Sequence, residues 1–308
     1  MHKINFPVIS KVLTRKACSL LSEIVNCLYD LTAIFHRDRI FINSFVRRRF
    51  GQFCASNWGD DINIFFFREI LDCKIYIKSI SPIFKHFPIS NFGCIGSILC
   101  RNTDKYSEIW GSGLIDGVVN LNKIPSKIHS VRGPMTRAEL LKCGIPCPEK
   151  YGDPALLISR YYKPQIAQKY ALGIIPHAND ENEDYLVDYC RTHDDVLLIS
   201  MTDYKDWHEI PDKILSCQKI ISSSLHGLIV ADSYGVANSW AQLSPKNKDS
   251  RFKYMDYLKS VGREDHCNEL FSQKDIDFFR QNGTFSVAKD IDFKSILDSC
   301  PFKRHIRK

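Results

Sequence analysis

The sequence predicts an α/β protein built from two doubly wound, Rossmann-like domains that face a common cleft. Three observations carry this. The chain has 308 residues, too many for one small domain and suited to two of about 150 each. Its composition is 44% hydrophobic and 25% charged, which excludes a disordered or fibrous chain and supplies apolar material for two cores. From residue 70 onward, short apolar runs alternate with amphipathic segments of about 10 residues, the pattern of βαβ units and parallel sheets.

The elements follow in order. Over 17–35, Leu20, Leu21, Ile24, Leu28, Leu31, Ile34 and Phe35 recur at helical spacing. Arg47, Arg48 and Arg49 come next. Two readings stay open: a basic amphipathic segment on an anionic membrane surface, or a packed helix followed by a solvated basic loop. Strands are expected at 74–78, 94–99, 108–111 and 128–131. A helix follows over 134–143, with Pro134 at its start and Gly144 past its end. The stretch 159–169 lacks periodicity and reads as a linker. The second half gives strands at 171–176, 196–201, 219–222 and 237–241, with helices over 181–192, 208–217 and 226–234. Later helices are expected at 252–260, 274–281 and 290–298. The expected organisation is an N-terminal segment over 1–50, domains over 51–160 and 161–270, and C-terminal helices with a basic tail over 271–308.

Net charge is +7, but residues 1–50 hold nine Lys/Arg against three acids and residues 301–308 four against none. The remaining body carries 29 basic and 32 acidic residues, so it has no excess of positive charge for nucleic acid. The twelve cysteines form no CxxC pair and no zinc pattern, and read as buried thiols of a reducing cytosol. Lys11 interrupts the N-terminal apolar run, so no secretory signal is expected. Nor does any run approach the ~20 apolar residues of a spanning helix. The expectation is a cytoplasmic protein, in peripheral contact with the inner membrane face on the first reading above.

Candidate site residues cluster where strands end. Ser222, Ser223 and Ser224 close a strand, and His226 opens a helix. Free amides at such a start favour an anion, and a histidine there can move a proton. The bland alternative is a serine cap with a core histidine. Arg132 ends a strand and Arg137 follows on the next helix; both suit a carboxylate or phosphate, or a surface salt bridge. Asn57, Asp60 and Asp61 precede an apolar run and either contact hydroxyls or cap a helix. Gly111 and Ser112, in WGSG, allow close approach of a ligand without forming a GxGxxG. Asp153 either orients a partner or makes an Asx-turn. His177 ends a strand of the second half.

In this order, NWGDDIN, WGSG, VRGPMTR, YGDPALL, IIPH, SSSLHGLIVADSYGV and FKYMDYLKSVGR resemble the polysaccharide pyruvyl transferase family. The resemblance covers about 57–263 and leaves the first 50 residues unmatched. It implies a fold similar to two-domain GT-B glycosyltransferases. It also implies transfer of a pyruvyl group from phosphoenolpyruvate to a sugar, closing a cyclic ketal with loss of phosphate. His226 and Arg132 match the family's motif residues, which makes them the expected catalytic pair, Arg132 also holding the donor. Arg137, His177, Ser223 and Ser224 are the further donor-side candidates. Asn57, Asp60, Asp61, Gly111 and Ser112 are the acceptor-side ones. The acceptor is a glycan, lipid-linked on one reading, and neither metal nor cofactor is expected. A nucleotide-sugar glycosyltransferase of the same architecture is the first alternative. A carbohydrate-binding protein without activity is the second.

Overall fold

The computed structural model describes residues 6–302 apart from 102, 122 and 247–249, with side chains from residue 16. The expected basic tail at 303–308 lies outside the described residues. The chain begins with α1 (Phe6–Leu31), β1 (Arg39–Asn43), the hairpin β2 (Arg47–Arg49) and β3 (Gln52–Cys54), and α2 (Trp58–Phe65). Next come β4 (Lys74–Ile77), β5 (Asn91–Gly93), β6 (Ser107–Trp110), β7 (Lys127–Ser130), α3 (Pro134–Lys142) and α4 (Ile158–Tyr161). The second half runs β8 (Leu172–Ile175), α5 (Asp184–Thr192), β9 (Val196–Leu198), α6 (Glu209–Leu215), β10 (Lys219–Ser222) and α7 (Leu225–Ser233). It ends with β11 (Ala237–Gln242), α8 (Arg251–Ser260), β12 (Asn268–Glu269), α9 (Gln273–Asn282) and α10 (Phe293–Asp298).

Two five-stranded sheets result, ordered β4-β1-β5-β6-β7 and β12-β11-β10-β8-β9. Every pairing in both is parallel. Numbered by their own strands, both have the order 2-1-3-4-5, a doubly wound arrangement. The chain reverses direction across each sheet between its first and third strands: β1 and β5 in one, β8 and β10 in the other. All four residues of β8 are buried, as a strand covered on both faces requires.

Two expectations about strands are corrected. Residues 39–43, assigned with the N-terminal segment, form β1, which pairs with both β4 and β5 inside the first sheet. Four of its five residues are buried, so Ile40, Phe41 and Ile42 are core. The strand expected at 94–99 lies instead at 91–93. Beyond Gly93 the backbone leaves the sheet: the Ile95 amide donates to Asn63 Oδ1 at 3.2 Å, and Gly96 turns at φ +98°.

Several contacts join the halves. The Trp58 amide donates to the Met201 carbonyl and its indole to that of Trp207, both at 2.8 Å. Asp256, on α8, accepts from Arg132 Nε at 3.1 Å, from the Thr136 amide at 2.8 Å and from its hydroxyl at 2.7 Å. The chain after α9 then returns to the first sheet. Trp110 Nε1 donates to the Ile296 carbonyl at 3.1 Å, and Phe302 packs on Phe67, Phe92 and Trp110.

Residues Lys16–Phe35 form a helix that is long and apolar enough, by length and composition, to cross a membrane. This corrects the expectation that no such run exists; the average tolerates the polar residues that interrupt it.

Candidate active site

A cavity of about 510 Å³ opens between the two sheets, lined by Phe45, Asn57, Asp60, Ser97, Arg101, Ile115, His177, Asn179, Ser224, Leu225, His226 and Lys253. Phe45 and Ser97 follow β1 and β5; His177 and Ser224 follow β8 and β10. The cavity thus joins the two reversal points at the carboxyl ends of the strands, where such sheets bind ligands.

His226 is the centre of this wall. Ser224 caps α7 in an extended conformation, with its own amide held by Ser222 Oγ at 3.0 Å. The amides of the first turn have no acceptor within the helix. The imidazole lies between two glycines: a Cβ on Gly59 would sit 2.2 Å from Nδ1, and one on Gly96 3.7 Å from Cε1. Only the absence of a side chain at Gly59 leaves room for the ring. Nε2 is buried with no hydrogen-bond partner, 4.0 Å from Asp153 Oδ2. Burial, then the charges of Lys253 and Arg132, push the imidazole down to about 3. It is therefore neutral at pH 7.

Asp153 makes the turn and also faces the imidazole, without hydrogen-bonding to it. One carboxylate oxygen caps the Ala155 amide at 3.0 Å; the other accepts from Gly96 N at 3.3 Å and faces His226. Burial raises it to about 6.

Asp60 stands in the first turn of α2, whose cap Asn57 accepts from Gly59 N at 3.0 Å. Burial, helped by the neighbouring Asp61 charge, raises Asp60 to about 7, while Lys253 and Arg101 pull it down. A carboxyl group half protonated at neutral pH, in a cavity beside two cations, is matched to proton transfer.

Several expected residues do not reach the cavity. Arg132 is fully buried behind it. Its guanidinium donates to Asp256, to Ser97 Oγ at 2.6 Å and to the Leu114 carbonyl at 2.6 Å. A Cβ on Gly113 would meet it at 2.5 Å. Arg132 therefore holds the wall residue Ser97 rather than lining the cavity itself. Arg137 donates to the Cys147 carbonyl at 3.1 Å and does not line the cavity. Ser223 accepts from the His177 amide at 2.7 Å, and its carbonyl accepts from the Tyr254 hydroxyl. Asp61 accepts from the Ser56 amide at 2.6 Å and the Tyr204 hydroxyl at 2.5 Å. Ser112 is fully buried and donates to the Gly96 carbonyl at 2.8 Å. Gly111, at φ +82°, lets the Pro154 ring pack against the backbone. None of these six residues lines the cavity.

Sequence reasoning missed Lys253 and Arg101, the two cationic side chains that do line the cavity. Lys253 lies within FKYMDYLKSVGR, but no spacing distinguishes it from the other surface lysines. Among the described residues, no group of three or more His, Cys, Asp or Glu side chains could hold a metal ion.

The model of the polysaccharide pyruvyl transferase family matches residues 116–238, a stretch that holds Arg132, Asp153, His177 and His226. The chain belongs to the polysaccharide pyruvyl transferase family. The uncharacterized protein L143 of Acanthamoeba polyphaga mimivirus is 31% identical over 235 residues, 74% of this chain and 77% of that protein. The succinoglycan biosynthesis protein ExoV of Rhizobium meliloti (strain 1021) is 26% identical over 213 residues, 67% of this chain and 62% of that protein. No solved structure matches. These findings support a transferase of this family and do not favour the nucleotide-sugar alternative.

Proposed function

We propose that this pyruvyl transferase moves the pyruvyl group of phosphoenolpyruvate to a sugar of a surface polysaccharide, or of its lipid-linked precursor, and closes a cyclic ketal with release of phosphate. The observation that carries the reading is one cavity in which His226 and Asp60 stand with Lys253 and Arg101 at facing strand ends. The family, and the similarity to ExoV, a succinoglycan biosynthesis protein, support a glycan acceptor. The two facing parallel sheets support a GT-B-like cleft. On this reading the reaction takes place in the cytoplasm.

Phosphoenolpyruvate carries a carboxylate and a phosphate. Lys253, Arg101 and the amides opening α7 are the groups that would hold them. His226, neutral when free, takes the proton of the first sugar hydroxyl as its oxygen attacks C2. Asp60, protonated, gives its proton to C3. The bond from C2 to the phosphate oxygen then breaks, and phosphate leaves with the imidazolium proton. The second hydroxyl attacks the oxocarbenium-like C2 and returns its proton to the Asp60 carboxylate. Both groups end as they began. Arg132 is a positioning residue here: it holds Ser97, and its charge adds to the burial and the Lys253 charge that keep the His226 imidazole neutral.

Purified protein should release phosphate from phosphoenolpyruvate only when a suitable glycoside is added. Absence of phosphoenolpyruvate binding by calorimetry would overturn the donor assignment. The pH profile tests Asp60. As the acid it must be protonated, so kcat/KM should fall as pH rises through about 7. Asp60→Asn should lower kcat/KM by roughly 10²-fold and abolish that limb. A variant that keeps the limb would remove Asp60 from the chemistry.

A further inference from the structure

Helix α1 is amphipathic with its faces reversed. Ser22, Asn26 and Asp30, with Val25 and Tyr29 beside them, contact the protein, and its leucines do not. Ser22 Oγ accepts from the Phe50 amide at 3.0 Å and Asn26 Oδ1 from the Gly51 amide at 2.8 Å. Asp30 is fully buried; it accepts from both terminal nitrogens of Arg48, at 2.6 and 2.9 Å, and from Ser81 Oγ at 2.5 Å. These three residues are spaced i, i+4, i+8 and share one face. The opposite face holds Leu20, Leu21, Ile24, Leu28 and Leu31. It continues through the following 3-10 turn (Thr32–Phe35) with Ile34 and Phe35. All seven are between 41% and 83% exposed. Scattered exposed apolar residues need no explanation, but seven on one stripe mark an interaction surface.

Charge selects the partner. Lys16 is exposed at one end of the stripe, and Arg37 and Arg39, with the exposed Asp38 between them, at the other, leaving both ends net basic. A second copy of the chain docked through this face would set basic residues against basic residues, since a two-fold contact is self-complementary. An anionic lipid surface meets both features at once. The helix cannot span: crossing would strip Ser22, Asn26 and Asp30 of their partners and leave them in hydrocarbon.

We propose that α1 and the turn after it lie flat in the headgroup region of an anionic bilayer, as a monotopic anchor that holds the body against the membrane. This does not depend on the transferase reading, because its test reads membrane binding alone.

The experiment is flotation of the full chain with vesicles of phosphatidylcholine containing phosphatidylglycerol, beside phosphatidylcholine alone. The wild type should float with the anionic vesicles and dissociate as salt rises. The triple variant Ile24→Gln/Leu28→Gln/Phe35→Gln should lose ~100-fold in partitioning with unchanged circular dichroism and melting temperature. Arg37→Gln/Arg39→Gln should lose ~10–30-fold. Three results would overturn the proposal: no flotation with anionic vesicles, full flotation of the triple variant, or a wild-type dimer that the triple variant dissolves without any vesicle binding.

Discussion

His226→Ala lowers turnover by roughly 10²–10⁴-fold, the usual contribution of a placed acid/base group, and leaves the fold intact. The second half of that expectation comes from the structure. Nε2 has no hydrogen-bond partner, so truncation strands no donor or acceptor. It only opens space between Gly59 and Gly96. Phosphate release and circular dichroism on one sample check both halves. Turnover near the wild-type rate would remove His226 from the mechanism. Gly59→Ala gives the converse control: the new Cβ would overlap Nδ1 and push the ring aside, so activity should fall with the histidine still present.

Asp256→Ala destabilises the protein by about 3–5 kcal/mol, the range for removing one partner of a buried ion pair. Arg132 and Asp256 are both fully buried. Without the carboxylate, the guanidinium keeps only Ser97 and the Leu114 carbonyl, and the Thr136 amide and hydroxyl lose their acceptor. The carbonyl of residue 256 would also touch any Cβ on Gly133, so α3 and α8 meet backbone to backbone at this point. Denaturant melts should show the loss as a lower midpoint at unchanged slope. A change below about 1 kcal/mol would mean that the pair lies in a wetter environment than the geometry indicates. Because this clamp joins the two halves, activity should fall with stability, and an activity loss alone would not implicate Arg132 in donor binding.

The site was partly legible because two kinds of signal are local. A strand that ends in serines before a helix announces an anion-binding start, so Ser224 and His226 could be placed from six consecutive residues. The reversal point of the second sheet was legible for the same reason: β8, β10 and β11 are apolar runs with sharp boundaries. The first sheet was harder. Its leading strand, β1, follows a long helix and precedes three arginines, and charge dominated the reading of that stretch. Without β1 the reversal point between β1 and β5 could not be located, and Phe45 and Ser97 went unnoticed.

Alone, the sequence determined the α/β class with parallel sheets, the family and the position of His226 at a helix start, since periodicity and motif order are properties of neighbours along the chain. The tertiary structure decided which polar residues face the cavity and which hold its walls. Arg132 and Arg101 are the same residue type, yet one lies sealed against Asp256 and the other opens on the cavity. Asp60 and Asp61 are adjacent, yet one faces Lys253 while the other accepts from Tyr204, 143 residues away. The orientation of α1 was decided there too. Helical spacing shows that a stripe of leucines exists. Only the buried partners of Asp30, supplied by Arg48 and Ser81, set which side of the helix faces out. Burial and pairing arise between segments far apart in the chain, and no local pattern records them.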